Sequence, residues 1–222
     1  MRQTPIHEQH NPDLLKLIPK ASMRLIEVGC SSGALAREFK KISPECNWLG
    51  IEIDAEYADL ASRYCDESLN FDIEFANPDF WKKSANADCW IFGDTLEHLK
   101  DPWRILQQIR KNISNSGCIV ACIPNAQHWS IQARMCIGAF RYVESGLLDK
   151  THLRWFTRQT IVELFEGSGF YIDTGFNRIF DEPEREAYIP LIREMARVAG
   201  GDPEVAENDC LAVQYVIRAK PK

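Results

Sequence analysis

The sequence predicts an α/β fold, a doubly wound and mostly parallel sheet with helices on both faces. Three observations point to it. Apolar runs of strand length alternate with amphipathic runs of helix length. A glycine-bearing turn joins the first strand to the first following helix. The unbroken apolar run Cys118 to Ile123 has the composition of a central strand covered on both faces.

The elements follow in order. Asn11 to Ile18 has a proline near its start and leucines at helical spacing, and Pro19 stops it. Arg24 to Val28 is the first strand, Gly29 to Gly33 a tight turn, and Ala34 to Ile42 a helix with one apolar face. Trp48 to Ile53 forms the second strand; Asp54 then caps a helix to about Cys65, with Tyr57, Leu60, Ala61 and Tyr64 on one face. Asn70 to Phe75 and Ala87 to Phe92 read as the third and fourth strands, and Asp101-Pro102 supplies the cap and first-turn proline of a helix to Asn112. Cys118 to Ile123 is the fifth strand, closed by Pro124-Asn125. Thr157 caps a helix through Glu166, and runs near Phe170 to Phe180 and Leu211 to Lys220 complete seven strands, the last pair antiparallel.

Residues 1–222 thus read as a single domain with two insertions. The first, 126–156, crosses the ligand edge of the sheet, and its Trp129, Phe140, Tyr142 and Trp155 suit a lid over an acceptor. The second, 181–208, is acidic, holds Pro183, Pro190 and Pro203, and reads as a solvated helical cover around Arg185 to Ala199.

Composition narrows the function. Hydrophobic residues make up 45% and charged residues 26%, which excludes disordered and fibrous classes. A formal net charge of -6 offers no basic field for broad nucleic-acid or anionic-membrane binding and favours a small-molecule partner; a homodimer stays open. No apolar run has membrane-spanning length and Met1 to His10 is polar, so a cytoplasmic protein is expected. Eight scattered cysteines without a C-x-x-C pair read as reduced core residues.

The motif Glu27-Val28-Gly29-Cys30-Ser31-Ser32-Gly33 lies where a doubly wound sheet presents its first turn to a ligand. A dinucleotide fingerprint would place glycines at 29, 31 and 34; Ser31 and Ala34 stand there instead, which disfavours a nicotinamide-dependent oxidoreductase. Glu52, at the carboxyl end of the second strand, is placed to accept hydrogen bonds from both hydroxyls of a ribose.

With these motifs, the stretch from Arg24 to Phe170 resembles the class I S-adenosylmethionine-dependent methyltransferases. The resemblance implies a Rossmann-like sheet of seven strands with an antiparallel last strand. It implies that Glu27, Gly29, Cys30, Ser31 and Gly33 cradle the methionine end of S-adenosylmethionine and that Glu52, beside Ile53, holds the ribose. The position near the adenine amine falls on Asn77 or Asp79, and Asp94 borders the cofactor after the fourth strand. The runs Phe92 to Leu99, Asp101-Pro102, Pro124-Asn125 and Gly146 to Thr157 resemble the branch that includes ubiquinone-biosynthesis O-methyltransferases and related bacterial enzymes.

That branch implies O-methylation of a small sugar-like or aromatic metabolite. His98, His128 and His152 follow the fourth and fifth strands; His128 is equally a structural hydrogen-bonding residue, while His152 is the candidate general base, with His98 beside it. Asp94, Glu97, His98 and His152 also resemble the ligand set of magnesium- or manganese-dependent 2′-O-methyltransferases of small RNAs, which leaves a divalent metal as an alternative. A non-catalytic, cofactor-binding partner subunit is the alternative of another class.

Overall fold

The computed structural model describes residues 8–222, so the polar start of the chain before Glu8 lies outside the described residues. The strands are β1 (Arg24–Val28), β2 (Asn47–Glu52), β3 (Glu67–Asn70), β4 (Cys89–Gly93), β5 (Cys118–Pro124), β6 (Phe170–Arg178) and β7 (Gln214–Pro221). They form one sheet in the order β3-β2-β1-β4-β5-β7-β6, in which β7 runs antiparallel to β5 and β6 and the other six strands share one direction. The helices are α1 (Pro12–Leu17), α2 (Ala34–Lys40), α3 (Ala55–Ala61), α4 (Pro78–Lys83), α5 (Pro102–Asn112), α6 (Trp129–Cys136), α7 (Arg158–Gly167), α8 (Ile189–Val198) and α9 (Pro203–Leu211).

Because successive strand residues point to opposite faces, each buried strand feeds two cores. Ile26, Trp90, Phe92, Ile119 and Ala121 meet Ile105, Ile109, Leu164 and Phe165 on one face. Their neighbours Leu25, Ile91 and Val120 meet Leu14, Leu35, Phe39 and Trp48 on the other. Seven of the cysteines are buried and Cys136 is exposed; all eight are free thiols.

Four helices begin with an Asn or Asp followed by proline: Asn11-Pro12, Asn77-Pro78, Asp101-Pro102 and Asp202-Pro203. In each the side-chain oxygen accepts a backbone N–H of the first turn while the proline sits where no N–H is needed. This pattern corrects the expected third strand. β3 occupies 67–70 rather than 70–75, because Asp72 accepts the N–H of Glu74 and turns the chain into a 3-10 helix over Ile73–Phe75, and Asn77 then opens α4. The same pattern makes the end of the second insertion, expected as solvated cover, into helix α9.

The two insertions are tied to each other. His128, 1% exposed, bonds Ser130 Oγ through Nδ1 at 2.8 Å and Glu182 through Nε2 at 3.1 Å. Trp129 donates its indole N–H to the same Glu182 oxygen at 2.9 Å and packs its ring against Tyr188. No helix among the described residues is long and apolar enough to cross a membrane.

Asn125, fully buried after β5, locks the second insertion onto the sheet. Its Nδ2 donates to the carbonyls of Asp209 and Ala212 at 2.7 and 2.8 Å, and its Oδ1 accepts the Gln127 N–H at 2.9 Å. Asn125→Ala strands all three groups, so urea unfolding should show a loss of about 2–4 kcal/mol with an unchanged denaturant slope. A change below about 0.5 kcal/mol would remove this latch from the account.

Candidate active site at the carboxyl edge of the sheet

The shared direction of six strands brings their carboxyl ends to one edge, where a cavity of about 510 Å³ opens. Its first half is built on β1 and β2. Gly29 has φ +74°, and a Cβ there would lie 2.6 Å from Thr95 Oγ1, so only glycine lets the turn pass this close to the end of β4. Thr95 is fixed in turn, donating its hydroxyl to the carbonyl of Val28 at 2.9 Å. Ser31 also adopts positive φ, 47°, a strained value for a residue with a side chain. Its N–H is thereby aimed at Glu52 Oε2, 2.8 Å away, while Glu52 Oε1 accepts the Asp54 N–H at 3.1 Å. Each oxygen keeps a free lone pair, enough to accept two neighbouring hydroxyls.

Glu27 lies beneath the turn and accepts the indole N–H of Trp48 at 3.1 Å. Burial first, then the neighbouring Cys65 and Glu52, push its carboxyl well above the usual range against the pull of that bond. Burial likewise raises Glu52, opposed by its backbone bonds to Asp54 and Ser31.

The second half stands on the segment after β4. Residues Leu96–His98 form a 3-10 turn, and the carbonyl of Glu97 accepts the N–H groups of Leu153 and Arg154 at 2.8 and 2.9 Å, which holds the end of the first insertion over the cavity. His98 and His152 then meet edge to face, with ring centroids 4.8 Å apart. His98 Nδ1 is 3.1 Å from Thr151 Oγ1, and Trp155 packs on His152, with Phe140 on Trp155. Glu97 is fully buried and neither carboxyl oxygen has a hydrogen-bond partner. Burial above all, with Asp94 and Asp149 nearby, raises its pKa well above the ordinary 4.5. Burial and then His98 lower His152 to about 4, and burial lowers His98, so both rings are neutral at pH 7.

Of the residues singled out from the sequence, Glu27, Gly29, Cys30, Ser31, Glu52, Asp94, His98 and His152 line the cavity, as does Glu97. Gly33 stands behind the turn against Ala61, and Ile53 is half exposed outside it. Asn77 and Asp79 do not line the cavity: β3 ends earlier than expected, leaving Asn77 as the cap of α4 and Asp79 exposed beside Lys82. His128 is spent on the Glu182 tie. Tyr57, Asp149, Arg178, Phe180 and Gln214 also line the cavity, although their local sequence does not single them out; Tyr57 comes from α3 and Asp149 from the first insertion, while the other three arrive because β6 ends and β7 begins at the same edge. Glu97, His98 and His152 are the one group among the described residues able to hold a metal ion, with ligand atoms within 4.8 Å of one another. Asp94 is outside that group and bonded by the Gln214 amide.

A family model described as a methyltransferase domain matches residues 6–174, well over half of the chain. The chain belongs to the methyltransferase family. No curated protein matches it in sequence. Among solved structures, a methyltransferase of Thermotoga maritima described as a possible histamine N-methyltransferase is 17% identical, with TM-score 0.62 over 95% of this chain and 87% of that one. Mitomycin 7-O-methyltransferase aligns with TM-score 0.60 at 12% identity over 95% of this chain and 52% of that one. An O-methyltransferase of neocarzinostatin biosynthesis, solved with S-adenosylmethionine and 2-hydroxy-5-methyl naphthoic acid, aligns with TM-score 0.55 at 11% identity, over 91% of this chain and 50% of that one. The chain thus spans about half the length of these last two, and the likeness is one of fold.

S-adenosylmethionine is the methyl donor that the Glu27 to Gly33 turn and Glu52 lead one to expect for this methyltransferase. The cavity fits that group on its own evidence: a turn that only glycine permits, a strand-end carboxylate with free lone pairs, and a volume suited to a nucleoside-sized ligand. Glu52→Ala should weaken S-adenosylhomocysteine binding by about 1–3 kcal/mol in calorimetric titration, the cost of a lost charged acceptor. Unchanged affinity would move the ribose contact elsewhere.

The buried Glu97 carboxyl predicts a pH signature. Its folded pKa is raised, so above pH 4.5 the folded state holds a proton that the unfolded state has released, and stability falls as pH rises through the interval up to the folded pKa. Glu97→Gln removes this dependence; its stability relative to the parent should therefore rise between pH 5 and pH 8 in denaturant unfolding. A pH-independent difference would show that Glu97 is ionised in the fold.

Proposed function

We propose that this methyltransferase methylates a hydroxyl of a small sugar-like or aromatic metabolite, with His152 taking the proton and His98 positioned against it. The observation that carries the reading is the meeting of two neutral imidazoles over buried Glu97 in the second half of the cavity. The O-methyltransferases among the structural neighbours support an oxygen acceptor, while the possible N-methyltransferase among them shows that fold alone does not choose the atom.

S-adenosylmethionine supplies a methyl group activated by its positive sulfur. The acceptor oxygen forms a bond to the methyl carbon as the carbon–sulfur bond breaks, and the hydroxyl proton must then leave. His152, neutral at pH 7, has a free nitrogen lone pair to receive it. A base lowered to about 4 is weak toward a resting hydroxyl, but the proton becomes far more acidic once the oxygen carries a partial positive charge, so transfer late in methylation suffices. Trp155 and Phe140 wall this half of the site against water.

A second reading has its own observation: both Glu97 oxygens are buried without a partner, 3.9 Å from His152 at the nearer one. A divalent cation held by Glu97, His98 and His152 would satisfy that carboxylate and polarise an acceptor oxygen. Neutral imidazoles, the form in which histidine binds metals, are already present.

His152→Ala should lower kcat about 10²- to 10⁴-fold on an accepted hydroxyl substrate while leaving S-adenosylhomocysteine affinity intact. Full activity in this variant sinks the proton-acceptor assignment. Loss of activity in EDTA, restored by magnesium or manganese and accompanied by metal-dependent thermal stabilisation of the parent but not of Glu97→Gln, would favour the metal reading.

A further inference from the structure

Among the described residues, Arg178 is the one arginine or lysine lining the cavity, and it stands at its far end from Glu52, where β6 finishes and β7 starts. Its side chain is held in place rather than free: Nε pairs with Asp13 at 3.3 Å and one terminal nitrogen, Nη1, donates to Gln214 Oε1 at 2.9 Å. The other terminal nitrogen, Nη2, makes no hydrogen bond to the described chain. The guanidinium lies 5.6 Å from the ring centroid of Phe180, itself half exposed at the cavity and held through its carbonyl by Arg185 at 2.8 Å. Asp13 is shared with Lys16 at 2.8 Å, so two cations face this one carboxylate, and Asp94 reaches Arg178 only through the intervening Gln214 amide. Of the acidic groups in the acceptor half, Asp94 bonds the Gln214 amide and Asp149 the hydroxyl and N–H of Thr151, while Glu97 has no partner and its burial favours the uncharged acid.

We infer that Arg178 and Phe180 form an anchoring subsite for the acceptor, which takes a planar, aromatic hydroxy compound bearing a carboxylate. This rests on the second half of the cavity being the acceptor site, as proposed above. A pre-oriented guanidinium with unspent N–H groups is matched by the flat, singly charged carboxylate, and the Phe180 face by an aryl ring. A phosphate dianion suits the place less: one free nitrogen cannot satisfy its oxygens, and Asp13 and Asp94 stand close by. Anchoring the anion at this end leaves the ring to carry its hydroxyl toward His98 and His152, which line the same cavity.

The test is titration of the intact protein, saturated with S-adenosylhomocysteine, with 4-hydroxybenzoate, 4-hydroxybenzamide and 4-hydroxyphenyl phosphate. The carboxylate should bind roughly ten- to hundredfold more tightly than the amide, the gain of a charged hydrogen bond, and more tightly than the phosphate. Arg178→Gln should erase the acid-over-amide preference and Arg178→Lys retain part of it, with S-adenosylhomocysteine affinity equal to the parent in both. Equal binding of acid and amide by the parent, or binding of neither, overturns the inference without recourse to any variant; a preference that survives in Arg178→Gln overturns it as well. Tightest binding of the phosphate overturns the carboxylate assignment. Fragmentation mass spectrometry of the product formed from 4-hydroxybenzoate and S-adenosylmethionine separates this from the oxygen reading: a methyl group on a ring carbon leaves the anchor standing and removes the hydroxyl as acceptor, whereas a methyl ester overturns the anchor.

Discussion

Every part of the site depends on the common direction of six strands. Because β1, β2, β4, β5 and β6 all end at one edge, and antiparallel β7 begins there, residues far apart in sequence, from Gly29 to Gln214, converge at strand ends, with His152 and Asp149 added by the long first insertion. The constraint also explains why the turn after β1 is so narrow. β1 lies between β2 and β4, so its exit must pass the end of β4, where Thr95 leaves no room for a side chain on residue 29. The strained Ser31 backbone follows from the same crowding and aims an N–H at Glu52.

Much of this was legible in the sequence. The period-2 and period-3.6 patterns locate most strands and helices, since a doubly covered sheet needs nearly continuous apolar strands, and the Glu27 to Gly33 turn and Glu52 were readable because their spacing is set by the length of one strand-turn-helix-strand unit. The third strand was not. Phe71, Ile73 and Phe75 alternate as a strand should, but Asp72 and Asn77 offer the backbone local hydrogen bonds that win over the sheet at its short outer edge. The Asx-Pro signal that marks α5 was present at Asn77-Pro78 and Asp202-Pro203 too, masked by acidic and aromatic neighbours. Arg178 and Gln214 carried no local signal, because nothing near them in sequence says that β6 and β7 deliver them to the ligand edge.

The two halves of the cavity differ in how their polar groups are satisfied. Around the turn, each Glu52 oxygen accepts one backbone N–H and remains able to accept another donor. Around Glu97 the reverse holds: backbone carbonyls and N–H groups are paired, but the carboxyl itself is left without a partner in a dry place beside two uncharged rings. A fold tolerates such a group only where something else compensates, since an unpaired buried carboxyl is costly to keep. The stability cost and the chemistry of the acceptor half therefore reside in the same few atoms.

The bond from His128 to Glu182 reaches across the two insertions rather than within either. Together with the Trp129 and Tyr188 ring contact, it ties the two insertions to each other beside the sheet end that Asn125 holds. For recombination between relatives, this makes 126–156 and 181–208 a single heritable module despite the 24 residues, 157–180, that hold α7 and β6 and separate the two in sequence. A chimera that exchanged one without the other would keep the His128–Ser130 contact but lose the Glu182 carboxylate on the other ring nitrogen, so divergence within this architecture is constrained to proceed by paired change in both segments.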